Sequence, residues 1–233
     1  MGALSALWGP KVKGGRKTPI LNVSFVAIDT ELTGLDAKKD SIISLGAIRM
    51  TGGRIDVGSS FHRLIKPQTD FKAESVVIHE ITPSDVDQKP AIGSVLPEFL
   101  DFCADDVVIG YCIGIDLEFI KRELKRLHRK TFSNPVIDVY SLFECLKRRF
   151  ASHTCFVSIP NGLGLYRMAK CFGIPVNGAH NALMDAYITA QLFQRFLPLL
   201  LETGFERIGD LLRVGNPSRG GDVYQSSKEV CNL

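Results

Sequence analysis

Asp29 and Glu31 stand two residues apart at the end of an apolar run, Ser24-Phe-Val-Ala-Ile-Asp29-Thr-Glu31, and His180 precedes Asp185 by five residues. On a strand, residues two apart point to one face, so the first two carboxylates project side by side where the chain leaves a sheet. Like charges that close raise one another's pKa unless something positive lies between them, and a divalent cation is the natural occupant. A further acid, Asp116, lies just past a second apolar stretch, Ile109-Gly-Tyr-Cys-Ile-Gly-Ile-Asp116-Leu-Glu-Phe119. A histidine takes a proton from water near neutral pH. Each piece alone has an ordinary reading, as a turn acid, a helix cap or a surface histidine. Four acids and a histidine in this order are the parts of a two-metal phosphodiesterase.

Such a site needs strand ends and helix starts to hold it. Asn22 to Ile28 reads as a buried strand followed by the turn signal Thr33-Gly34. Ser41–Met50 and Ile55–Ile65, separated by Thr51-Gly52-Gly53, read as a hairpin, which completes a three-stranded meander. Apolar residues at Ile92, Val95, Leu96, Phe99 and Phe102 follow a helical repeat over Ala91–Ala104. Val107–Tyr111 is a short strand, Leu117–Arg129 an amphipathic helix, and Val136–Val139 a fifth strand, with Asp138 placed to cap a helix running to about Phe150. Helices over roughly Leu163–Phe172 and Ala182–Leu201 complete an α/β fold, a mixed five-stranded sheet with helices on both faces.

With 233 residues and 45% apolar composition, one well-buried domain is expected. Residues 1–18, which include Lys11, Lys13, Arg16 and Lys17, read as a basic arm; 19–213 form the domain, and 214–233 read as a flexible tail. A net charge of +3 is too small to argue for any polyanion by itself. Six cysteines without a C-x-x-C pair argue against a zinc ribbon and for a reducing compartment, and the isolated His153 and Cys155 lack a second pair. The apolar stretch around Trp8 is too short, and followed rather than preceded by its basic residues, for a secretory signal, and no run approaches a membrane span, so a cytoplasmic location is expected.

The sequence resembles the DnaQ-like 3′-to-5′ exonucleases of the DEDDh type, a family that includes the proofreading epsilon subunit of bacterial DNA polymerase III. Asp29-Thr-Glu31-Leu-Thr33-Gly34-Leu35 is similar to the family's first motif, D-T-E-T-T-G-L, and Ile109-Gly-Tyr-Cys-Ile-Gly-Ile-Asp116-Leu-Glu-Phe119 to its second, V-G-H-N-x-x-F-D-x-x-F. His180-Asn-Ala-Leu-Met-Asp185 matches the third, H-x4-D, and Ile78-His79-Glu-Ile81-Thr82 resembles an intermediate I-H-x-I-T segment. The resemblance covers about Phe25 to Phe196.

It implies a ribonuclease-H-like fold in which Asp29, Glu31, Asp116 and Asp185 hold two divalent ions, Mg²⁺ or Mn²⁺. It further implies that His180 deprotonates the attacking water, releasing nucleoside 5′-monophosphates from the 3′ end of single-stranded DNA. RNA or short oligoribonucleotides are an alternative substrate, because discrimination rests on 2′-OH contacts. A catalytically weak nucleic-acid-binding module is the alternative from another class. Thr30, Thr33, Leu35, His79 and Phe119 are the implied contacts to the terminal nucleotide, each with packing or capping as its structural counterpart. Lys121, Arg122, Lys125, Arg126 and Arg129, with Lys147, Arg148 and Arg149, are either a solvated face or a track for the phosphate backbone. Proofreading would require a polymerase partner in trans. Gln191-Leu-Phe lies mid-helix and reads as core. The sequence departs from the family pattern at Leu32, at Tyr111-Cys112 in place of His-Asn, and at Ile115 before Asp116.

Overall fold

Residues from Ser24 to Leu32 alternate between two apolar environments, and this makes strand β1 (Ser24–Leu32) the centre of the sheet. A computed structural model describes residues 12–69, 71, 73–150, 156, 159, 163–176 and 180–217. Trp8, Lys11, His153, Cys155 and the tail beyond Pro217 lie outside the described residues.

Strands β2 (Ile42–Thr51) and β3 (Arg54–Leu64) form the expected antiparallel hairpin beside β1. On the other side β4 (Val107–Gly110) and β5 (Val136–Asp138) run parallel to it, giving the order β3-β2-β1-β4-β5. The helices follow as α1 (Ala73–His79), α2 (Pro83–Val86), α3 (Ile92–Cys103), α4 (Gly114–Glu123), α5 (Val139–Arg149), α6 (Leu165–Cys171), α7 (Ala182–Glu202) and α8 (Ile208–Val214). Among the described residues, no helix is long and apolar enough to cross a membrane.

Two cores result from the period of two in β1. Phe25 and Ala27 face a cluster built with α5, α6, α7 and α8, and Phe25 meets Phe193 of α7 edge-on at 4.8 Å. Val26 and Ile28 face the opposite cluster, built with α3 and α4. Leu192 and Phe193 are fully buried, which bears out the core reading of Gln191-Leu-Phe.

Two details differ from the expected elements. The helix after Asp116 does not run regularly to Arg129: Leu124–His128 is a π-helical turn that ends with Arg129 in the left-handed conformation (φ 51°). The segment before β1 is tied down by the additional helix α8, with Ile208 N–H donating to Thr18 O at 3.0 Å and Gly209 N–H to Arg16 O at 2.9 Å. The part of the basic arm that is described is therefore backbone-bonded to the domain. At the far edge, Asp138 N–H donates to Gly215 O at 2.7 Å, so the chain after α8 covers β5.

Candidate active site

The alternation that splits the core also sorts the acids. Asp29 and Glu31 share the face of Phe25 and Ala27, toward α7, whereas Thr30 points with Val26 and Ile28 toward α4. Asp185 sits in the first turn of α7, capped by Asn181, whose side chain accepts from Leu183 N–H at 3.1 Å and Met184 N–H at 3.4 Å. What brings that turn close is Gly46, the β2 partner of Asp29: a Cβ there would lie 2.2 Å from the carbonyl carbon of Ala182. Carboxylate oxygens of Asp29, Glu31 and Asp185 consequently lie within 4.8 Å of one another.

Asp116 arrives from the other side. It lies in the first turn of α4, which starts beyond the end of β4, and its Oδ1 accepts the Thr30 hydroxyl at 2.6 Å. It stands outside the three-acid cluster, yet its charge acts on Glu31. Behind it Asp138 ends β5 and caps α5, accepting Ser141 N–H at 3.2 Å and its hydroxyl at 2.6 Å, as the sequence suggested.

Burial, then the charges of Asp185 and Asp116, push the Glu31 carboxyl up to about 8. Burial pushes Asp116 up to about 7 against the opposing bond from Thr30, and Asp185 up to about 6 against that from Tyr166. Glu31 Oε1 and Asp185 Oδ1 are buried and have no hydrogen-bond partner among the described residues. Buried carboxylate oxygens without donors are costly, and a hard, oxygen-preferring cation relieves both the desolvation and the repulsion. The donor set therefore fits Mg²⁺ or Mn²⁺, and it contains no sulfur ligand of the kind that favours zinc.

His180 enters the site through strain. Its φ is 62°, one of five positive values among the described non-glycine residues, and another belongs to Glu80, whose charge acts on His180. Such conformations cost free energy and cluster where geometry is functional. Burial lowers the His180 pKa, partly offset by Glu80, so its imidazole is neutral at pH 7 and free to accept a proton. Gly178 and Ala179, just before His180, lie outside the described residues.

Tyr166, from the first turn of α6, carries no signal in the acid and histidine motifs. Its hydroxyl donates to Asp185 Oδ2 and accepts His180 N–H at 2.6 Å, and its ring stands edge-on to the His180 ring at 4.6 Å. Only the packing of α6 against α7 could reveal it.

The implied nucleotide contacts separate into two groups. Leu35 is half-buried against the α3/α4 core, in a loop braced by Thr33 N–H to Ser41 O at 2.9 Å and by Arg122, whose guanidinium donates to Ala37 O. His79 is buried beside His180, and burial followed by that neighbour's charge lowers its pKa. Its Nδ1 accepts Ile81 N–H at 3.0 Å, which leaves the proton on Nε2, a buried donor with no partner among the described residues.

The other three have their side chains engaged within the fold. Thr30 gives its hydroxyl to Asp116, and Thr33 is fully buried, its hydroxyl accepting Ser41 N–H at 2.9 Å. Phe119 is fully buried between α3, α4 and the sheet, with the Arg122 guanidinium over its ring at 5.1 Å. Thr30 and Phe119 are turned inward because even-numbered positions of β1 and the inner face of α4 point into the second core, and Thr33, just beyond β1, braces its loop through Ser41.

The basic stripe is likewise divided. Arg122 and Arg126 converge on the buried Glu123 at 2.7 and 2.5 Å. Lys147 donates to Ile159 O at 2.5 Å, and Arg149 lies over the Phe205 ring at 5.6 Å. Lys121, Lys125, Arg129 and Arg148 are exposed.

Residues 26–193 match the protein family described as Exonuclease (RNase_T). The chain is 34% identical over 182 residues to the DNA polymerase III subunit epsilon of Aquifex aeolicus, covering 76% of this chain and 82% of that protein. It is 32% identical over 190 residues to the PolC-type DNA polymerase III of Thermotoga maritima, 82% of this chain but only 13% of the polymerase. Among solved structures, E. coli exonuclease I in complex with a dT13 oligonucleotide superposes with a TM-score of 0.63 at 18% identity, over 78% of this chain and 43% of that one. At that identity the likeness shows the fold.

Proposed function

Since this chain belongs to the Exonuclease (RNase_T) family, we propose that it is a metal-dependent 3′-to-5′ exonuclease of the DEDDh type that removes nucleoside 5′-monophosphates from single-stranded DNA. The observation that carries this reading is the convergence of Asp29, Glu31 and Asp185 within 4.8 Å, with two buried carboxylate oxygens unpartnered among the described residues. Asp29, Glu31, Asp116 and Asp185 would hold two divalent ions, Mg²⁺ or Mn²⁺, which supply Lewis-acid charge to the phosphodiester oxygens.

The chain's own groups do the rest. His180, neutral at pH 7, accepts the proton of the attacking water as the water's oxygen meets phosphorus. The P–O bond to the adjoining nucleotide breaks, its electrons leave on the 3′ oxygen, and that oxygen is protonated from solvent. His79 Nε2–H, a buried donor without a partner among the described residues, donates to an acceptor atom of the terminal nucleotide, and Leu35 packs against its base. Exposed Lys121, Lys125, Arg129 and Arg148 follow the phosphates further along the strand.

DNA is favoured by the relatives, one a subunit of a DNA polymerase and one solved with a dT13 oligonucleotide. Proofreading alongside a polymerase follows the likeness to a polymerase subunit. The test is a gel in which 5′-labelled DNA and RNA of one sequence are incubated with Mn²⁺ or with EDTA. Stepwise shortening of DNA only with Mn²⁺ is expected, with Asp29→Ala inactive. Equal shortening by Asp29→Ala removes the assignment, and faster RNA loss moves the substrate to RNA.

A further inference from the structure

One hydroxyl lies between the two residues assigned the most demanding roles. Tyr166 donates to Asp185 Oδ2 and accepts from the backbone N–H of His180 at 2.6 Å, with its ring edge-on to the imidazole at 4.6 Å and 78°. The platform beneath it is firm. Met168 and Ala169 of the same helix are fully buried, and the Tyr111 hydroxyl donates to Leu163 O at 2.5 Å, fixing the chain where it enters α6. His180, by contrast, holds a left-handed backbone (φ 62°), which other bonds must pay to maintain.

We propose that Tyr166 is a positioning residue for hydrolysis, its phenol oxygen fixing the His180 imidazole relative to the Asp185 carboxylate. The argument rests on the reading of His180 as base and Asp185 as cation ligand. A hydroxyl has one proton: given to Asp185 Oδ2, it orients the carboxylate so that Oδ1, buried and without a partner among the described residues, is the oxygen left for a cation. The lone pair that accepts His180 N–H holds the strained backbone, and the ring edge limits how the imidazole swings. Outer groups that orient ligands in this way change metal affinity or activity by roughly 10–100-fold when removed.

The test is Tyr166→Phe in the full chain, which keeps the ring and deletes the hydroxyl. In the metal-free protein, NMR exchange of the His180 amide is expected to speed up about tenfold, the loss of roughly one hydrogen bond. The Mn²⁺ concentration for half-saturation, read by electron paramagnetic resonance, is expected to rise roughly 10–100-fold, and kcat to fall by a similar factor with KM unchanged. Wild-type amide exchange and wild-type Mn²⁺ affinity in Tyr166→Phe would overturn the proposal, as would a loss of thermal stability with kcat intact. If the variant does not fold, the wild-type protein decides: a His180 amide exchanging at the unprotected rate overturns it. The amide measurement needs no catalysis, so an active Asp29→Ala, which defeats the exonuclease reading, leaves it separately readable.

Discussion

At the residue scale, Glu31 Oε1, Asp185 Oδ1 and His79 Nε2 are three of six buried side-chain polar atoms without a partner among the described residues, and these three lie on residues expected to meet cation or substrate. Thr30, Thr33 and Phe119 show the reverse: their polar or apolar capacity is used within the fold. His180→Ala is expected to lower kcat by ~10²–10⁴-fold, the usual share of a general base, with little change in the melting temperature of the metal-free protein. Steady-state kinetics beside calorimetry checks both halves. Phe119→Ala should instead cost about 3–5 kcal/mol in urea denaturation, as deletion of a fully buried aromatic does, rather than act first on KM. A raised KM with unchanged stability would return Phe119 to the nucleotide pocket.

At the element scale, the decisive contact is between β2 and the start of α7. Gly46 pairs with Asp29 across the sheet and leaves room for Ala182, so the absence of one side chain lets the helix bearing Asp185 approach the strand bearing Asp29 and Glu31. A methyl group at Gly46 would lie 2.2 Å from backbone, which cannot be relieved by turning a flexible side chain. Gly46→Ala should therefore displace the first turn of α7. A shift near 1 Å is enough to lower kcat by ~10²-fold while the fold survives. Full activity in this variant, measured beside a circular dichroism melt, would show that α7 is not positioned through Gly46. After α4, Arg122 and Arg126 close on Glu123, and Arg122 reaches on to Ala37 O, so the stripe braces the Leu35 loop.

At the scale of the whole molecule, folding concentrates carboxylates whose charge is relieved by a proton or by a bound cation. Without metal, Glu31 is protonated up to about pH 8, whereas in an unfolded chain it ionises near its ordinary 4.5. Unfolding in that interval releases a proton, so the unfolded state binds fewer protons and stability falls as pH rises from about 4.5 to about 8. A bound cation favours the ionised carboxylate, so the stabilisation given by Mg²⁺ should grow across the same interval. Melting temperatures with Mg²⁺ and with EDTA, taken at about pH 5 and pH 8, check this. A Mg²⁺ increment that does not change between the two would sink the claim that Glu31 carries it.

Much of this was legible in the one-dimensional pattern. The strand period placed Asp29 and Glu31 on one face, the Thr51-Gly52-Gly53 turn set the hairpin, and Asp138 was readable as a helix cap, because these are consequences of local backbone geometry. The order of the acids and the H-x4-D spacing pointed to the family to which the chain belongs. Tertiary structure alone decided the rest. Where the Arg122 guanidinium goes, and that Tyr166 reaches both Asp185 and His180, depend on contacts between residues far apart in sequence. A tyrosine in a short helix has no periodicity that marks its partner. Its role exists only where α6 and α7 meet, since a hydrogen bond is a property of two positions in space and sequence spacing fixes such pairs only within a single element.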